Sequence, residues 1–164
     1  SMNSPAGYSR TQIMLHWIVV ALVAAQYVFK DAIAQAWMAW HQELPFAFDP
    51  RIAAHVIAGQ LILVLIGWRL VLRIQNGAPP PPEDEPAPMR VIAKLSHAGF
   101  YVILAALSVS GAAAWFSDIV PAARLHNLLK TLLLALVVLH VLAALLHHVV
   151  LKTDVMRRMV RPEA

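Results

Sequence analysis

The stretch that most constrains this chain is its last apolar run, Arg124 to Lys152, RLHNLLKTLLLALVVLHVLAALLHHVVLK. It is long enough to cross a bilayer as a helix, yet it carries four histidines. His126 and His140 lie 14 residues apart. As a helix, that spacing is about 21 Å of rise and about 40° from alignment. One face therefore presents two imidazoles at two depths. Ionisable groups are costly in hydrocarbon, so an intramembrane histidine is a functional candidate. Two at this spacing suggest two stacked cofactors, each drawing its second ligand from another helix.

Composition agrees with a membrane protein. The 164 residues are 60% hydrophobic and 13% charged, with a mean hydropathy of +0.64. Four apolar segments, about 13–29, 52–72, 91–115 and 127–151, reach spanning length. The expected fold is all-α: an integral membrane four-helix bundle forming a single domain over residues 1–164. A cleaved signal peptide is the competing reading of the first segment. With no cysteine, thiolate-ligated iron–sulfur clusters and thioether-linked haem are excluded.

Lys and Arg sort into two groups. Arg10, Arg69, Arg73, Arg90, Lys94, Lys152, Arg157, Arg158 and Arg161 fall on one side; Lys30, Arg51, Arg124 and Lys130 fall on the other. The positive-inside rule puts the richer side, with both termini, in the cytoplasm. The pI of about 9.9 then reports topology and attraction to anionic headgroups, not nucleic acid binding.

Between the first two spans, Ile33, Trp37, Trp40 and Leu44 form a helical stripe, which predicts a short surface helix with both tryptophans toward the membrane. His41 on this loop is expected to be solvated. The second span places His55 near its start, with Gly59 on the same face to admit a flat ligand. Residues 76–90, NGAPPPPEDEPAPMR, predict a stiff, extended linker between two helical hairpins. The third span carries His97 and a run of small residues, Ser108 to Ala114, suited to close packing.

Direction and depth then sort the histidines. His55 and His126 lie toward the outer side, His16 and His140 toward the inner side. Depth alone would pair His16 with His147, so spacing leaves the inner partner open between His140 and His147. No helix interior offers a carboxylate or thiolate, so a bare zinc or di-iron centre is disfavoured. Haem b brings four nitrogens of its own and needs only two imidazoles. Its propionates would find Arg51 and Arg124 outside, and Arg10, Arg69 and Arg73 inside. His97 and His147 are candidates for a quinone pocket near the inner surface.

The ordered set YSRTQIMLHW, HVIAG with WRLVLR, SHAGFY, H-x13-H and LLHHVVLKTDVMRRM resembles the bacterial cytochrome b561 family, from about Tyr8 to Met159. These are four-helix dihaem b cytochromes of the inner membrane. The resemblance implies iron ligation by His16, His55, His126 and His140, choosing His140 over His147. It also implies electron exchange with a quinone such as ubiquinone, and some members resemble superoxide oxidases. A cytochrome b subunit that passes electrons between quinone and a partner redox enzyme is the alternative. The chain departs from relatives in the acidic run Glu83-Asp84-Glu85 and in a short outer turn before His126.

Overall fold

The computed structural model describes residues 4–163, and every regular element among them is helical. The four long helices are α1 (Arg10–Val28), α3 (Pro50–Asn76), α4 (Ala87–Ser117) and α5 (Val120–Leu145). Short helices α2 (Asp31–His41) and α6 (Val155–Arg158) cover opposite ends, and a π-helical turn, Leu146–Val150, extends α5. All four long helices have the length and apolarity to cross a membrane, the last counted on through Val150. The chain is a multi-pass membrane protein.

Local chemistry sets the helix ends. Ser9 and Gln12 exchange side-chain-to-backbone hydrogen bonds of 3.2 and 2.9 Å, a capping box that starts α1. Asp49 accepts from the Arg51 backbone N–H at 2.9 Å, ahead of Pro50 at the first position of α3. Gly77 ends α3 with φ 75°, a conformation that disfavours side chains. Asp118, at φ 52°, turns the chain between α4 and α5. These boundaries extend the first span three residues upstream of the apolar boundary and end regular α geometry at Leu145. The first of these brings His16 toward the depth of His140.

The long helices pack in chain order: α1 on α3, α3 on α4, and α4 on α5. Neither α1 with α5 nor α3 with α5 belongs to these packed pairs. The buried core, including Leu15, Val19, Ile62, Leu104 and Leu133, sits at mid-height. Leu133 is seven residues from both His126 and His140, and Ile62 seven from both His55 and Arg69. About 10 Å of apolar packing thus lies on each side of the midplane. On α5 only Leu133 is buried, and Leu128, Leu134, Leu139 and Leu142 point outward, as suits a lipid-facing helix.

Two loop expectations change. The buried face of α2 is Ala32 and Ala36 against Ile52, with Ile33 packed beside them and Trp40 meeting Trp115 edge-on at 5.9 Å, while Leu44 lies beyond the helix and exposed. Trp40 keeps 38% of its surface exposed while its ring packs on Trp115. The proline linker is also tied down. Glu85 is only 8% exposed, with Oε1 3.3 Å from His147 Nε2. A carboxylate is buried only where it is paired, and His147 supplies the partner.

Candidate functional site

At the α2 end, His55 from α3 and His126 from α5 approach with ring centres 6.5 Å apart and planes at 72°. They line a cavity of about 410 Å³, within the ordinary size of a cofactor site. His126 is oriented by backbone. Its Nδ1 lies 2.9 Å from the Leu107 carbonyl oxygen, which can only accept, so Nδ1 carries the proton and Nε2 keeps its lone pair. The Ser110 hydroxyl donates to the same carbonyl at 3.2 Å. A Cβ on Gly111 would come within 3.0 Å of His126 Cε1 and 3.1 Å of Nδ1, so glycine is what lets the ring lie against α4. His55 is held through its backbone, whose carbonyl accepts from Gln26 Nε2 at 2.8 Å. Its Nδ1 is buried with no hydrogen-bond partner among the described residues.

The charges over this cavity differ from the sequence expectation. Arg51 turns to Asp49, with Nη2 2.6 Å from Oδ2, and both lie outside the cavity lining. That pairing lowers Asp49 from its ordinary pKa, chiefly through the side-chain hydrogen bonds from Arg51. Arg124 is exposed and also outside the lining. The cations that do line it are Lys30 and Lys130. Tyr27 Oη donates to the Lys130 carbonyl and locks α1 to α5 at this level.

His41 caps the same end. Nδ1 lies 2.9 Å from the Trp37 carbonyl and Nε2 2.8 Å from Asp118 Oδ1, two acceptors that both want a ring proton. Its pKa is raised, first by the Trp37 carbonyl and then by Asp118. Exposed as it is, His41 is a bonded clasp and not a freely solvated ring.

At the opposite, basic end, His16 from α1 and His140 from α5 have ring centres 6.4 Å apart with planes at 52°. His97 from α4 is also near, 6.2 Å from His140, and Phe100 meets His140 at 5.1 Å. Helix packing separates these relations. α4 rests directly on α5, whereas α1 and α5 are not among the packed pairs, so His16 and His140 approach across helices that do not pack together. Arg69 Nη2 lies 3.4 Å from His16 Nδ1, and its guanidinium is 6.0 Å from the Tyr101 ring centre.

His147 is not part of this group. Its Nδ1 bonds Thr153 Oγ1 at 3.0 Å and its Nε2 faces Glu85. Both nitrogens are engaged away from His16. The π-helical turn provides the rotation, carrying His147 toward the linker. Arg10 and Arg73 lie at this basic end, and no hydrogen bond joins their side chains to either histidine pair among the described residues.

Four membrane helices with two imidazole pairs at two depths define the class of membrane-embedded b-type cytochromes. Within that class, residues 7–162 match the prokaryotic cytochrome b561 family, and the chain belongs to it. It is 32% identical over 161 residues to cytochrome b562 of Cereibacter sphaeroides, covering 98% of this chain and 99% of that one. It is 31% identical over 177 residues to a probable superoxide oxidase, CybB, of Yersinia pestis, covering 93% and 94%. The family implies haem b binding.

The residues fit that group. Imidazole–metal bonds run about 2.0–2.1 Å, and ring centres 6.4 and 6.5 Å apart would leave room for one metal between each pair. The unpartnered His55 Nδ1 and the glycine-floored seat of His126 point the same way. Arg69 can only donate, and iron ligation through His16 Nε2 leaves Nδ1 better served by an acceptor. A carboxylate such as a propionate is the partner to which Arg69 would turn.

Sequence reading missed Gly111, the Leu107 carbonyl, Gln26, Tyr27 and both cavity lysines. One signal for Gly111 was available. It lies seven residues before Asp118, and His126 lies seven after Ile119. A tight antiparallel turn must bring residues equally far from it into contact.

Proposed function

We propose that this protein, acting as one domain over residues 1–164, binds two haem b groups in the bacterial inner membrane and carries electrons from an outer one-electron donor to quinone. His55 and His126 would hold the outer haem, His16 and His140 the inner one, with both termini in the cytoplasm. The observation that carries this reading is the pair of imidazole couples at iron-spanning distance, each bridging two helices that do not pack together. Bound haem b supplies reversible one-electron transfer between a donor outside and an acceptor in the membrane.

Superoxide is the donor this reading favours, because Lys30 and Lys130 flank the outer cavity and would draw in a small anion. Two superoxide anions would be oxidised to two O₂, and one ubiquinone, with two protons, reduced to ubiquinol. The protons would enter at the basic end. There His147 and Glu85 form a buried acid–base pair, and His97 stands beside His140. These three residues form the proposed quinone side. Arg69 is the first candidate for the inner propionates; Arg10 and Arg73 remain secondary ones. Arg51 and Arg124 stay candidates for the outer propionates only if Arg51 exchanges Asp49 for that carboxylate.

The test is reconstitution of the purified holoprotein with ubiquinone and a superoxide source. Quinol formation that depends on superoxide supports the proposal. Fast haem reduction by quinol, with none by superoxide, would replace it with the partner-subunit reading. One observation favours that second reading. Phe46 and Phe48, at 47% and 78% exposure, project beside Pro45 and Pro50 at the α2 end, a suitable edge for a redox partner.

A further inference from the structure

The basic end holds a second cavity, of about 270 Å³, formed where the chain's two termini meet. Arg157, Arg158 and Arg161 line it, together with Ala6, Gly7 and Glu163. The Glu163 carboxylate accepts from the backbone N–H groups of Ala6 at 3.2 Å and Gly7 at 3.3 Å. Successive backbone amides facing one acceptor form an anion nest. Here the nest is filled by a carboxylate of the tail itself, while the arginines line the same cavity without pairing with it.

Arg158 shows that this cation set exceeds its acceptors. Nη1 donates to the Pro80 carbonyl at 2.7 Å, and Nη2 meets Asp154 at 3.0 Å. Nε is buried and has no acceptor among the described residues. Arg157 and Arg161 make no ion pair within 4.0 Å among the described residues, so their charge is free for a ligand. Val160, beside Arg161 in the chain, is 62% exposed. The cavity's residues flank the ends of the first and last apolar spans, which is where headgroups would lie.

We propose that this cavity binds the phosphate of an anionic phospholipid on its arginines, and that Glu163 is a built-in competitor for the two backbone amides. The cavity also touches the inner histidine group. Trp17 Nε1 donates to the Met159 carbonyl at 2.7 Å, just past α6, and the Trp17 ring meets His16 edge-on at 5.0 Å. A headgroup that fixes α6 therefore fixes the residue next to His16. Nothing in this proposal depends on the electron donor or acceptor.

The experiment is native mass spectrometry of the holoprotein, released from nanodiscs of phosphatidylcholine containing graded phosphatidylglycerol. The wild type is expected to retain phosphatidylglycerol in preference to phosphatidylcholine. Each arginine near a membrane surface contributes about fivefold, so the Arg157→Gln/Arg161→Gln variant should lose about 25-fold in that preference. Glu163→Gln, on an exposed tail that leaves folding intact, should bind anionic lipid more tightly than wild type. Added millimolar inorganic phosphate distinguishes the source. No displacement supports a lipid headgroup, and displacement of lipid by phosphate overturns the assignment to lipid. Equal retention of the two lipids by wild type, or unchanged binding in Glu163→Gln, overturns the proposal. An unchanged haem spectrum in each variant checks that the bundle is intact.

Discussion

The two histidine pairs are built differently. At the α2 end, His126 is seated by fixed parts: a backbone carbonyl, a serine hydroxyl and a glycine that a methyl would fill. At the basic end, His140 lies among aromatic rings, His16, His97 and Phe100, while the cation Arg69 approaches His16. One seat is made by main chain, the other by side chains with rotational freedom. The first can hold its ligand in one tautomer before any cofactor arrives. The second has to rearrange Arg69 when its partner changes. A buried main-chain acceptor resists change because any other arrangement leaves a polar group unpaired.

Breaking the ligands gives the largest contrast. His126→Ala and His140→Ala should each reduce haem from about two to about one per chain, at opposite ends. Haem quantification with resolved redox titration of each variant distinguishes them. Gly111→Ala comes next, and it should act at the α2 end alone. The added methyl meets His126 at 3.0 Å, and overpacking of this kind costs about 1–3 kcal/mol. Haem retention at the outer site should fall while the inner site's spectrum and potential stay fixed. Equal disturbance of both sites would remove the contrast.

Charge variants sharpen the same comparison. Lys30→Glu/Lys130→Glu should slow haem reduction after a superoxide pulse by about tenfold at low salt, with the effect shrinking as salt rises. Arg124→Glu, outside the cavity lining, should slow it less. Stopped-flow absorbance at two ionic strengths measures both. The smallest effect concerns His41. Its folded pKa is raised above 6.5, so its clasp to Asp118 contributes fully below that value and is lost as pH rises through the folded pKa. Tryptophan fluorescence, dominated at this end by Trp37, Trp40 and Trp115, should change over that alkaline window. His41→Gln should flatten the profile.

Much of the fold was legible because membrane helices announce themselves by length and apolarity. The four spans, the surface helix α2 and the grouping of histidines by depth all follow from residue spacing. The ends were less legible. Ser9, Asp49 and Gly77 lie outside the apolar runs and set boundaries through capping. The linker's Glu85 read as part of an acidic surface run, and only the π-helical turn brings His147 under it.

The candidate site shows the same division. Pairing His55 with His126 needed only helix direction and depth. Spacing left His140 and His147 open and the resemblance chose His140; the placement of His147 against Glu85 and Thr153, at the Leu146–Val150 turn, is something no spacing rule contains. His97 illustrates a different limit. It lies 21 residues before Asp118, and His140 lies 21 after Ile119. Their proximity is therefore what the α4–α5 hairpin register dictates, with no cofactor required. His16 and His140 have no such register to join them.

The most direct measurement is the ratio of extractable haem b to protein in the wild type and in His97→Ala, purified side by side. The account predicts about two haems per chain in both, all released by acid–acetone because the chain has no cysteine. One haem per chain in the wild type, or loss of a haem in His97→Ala equal to that in His16→Ala, would contradict it.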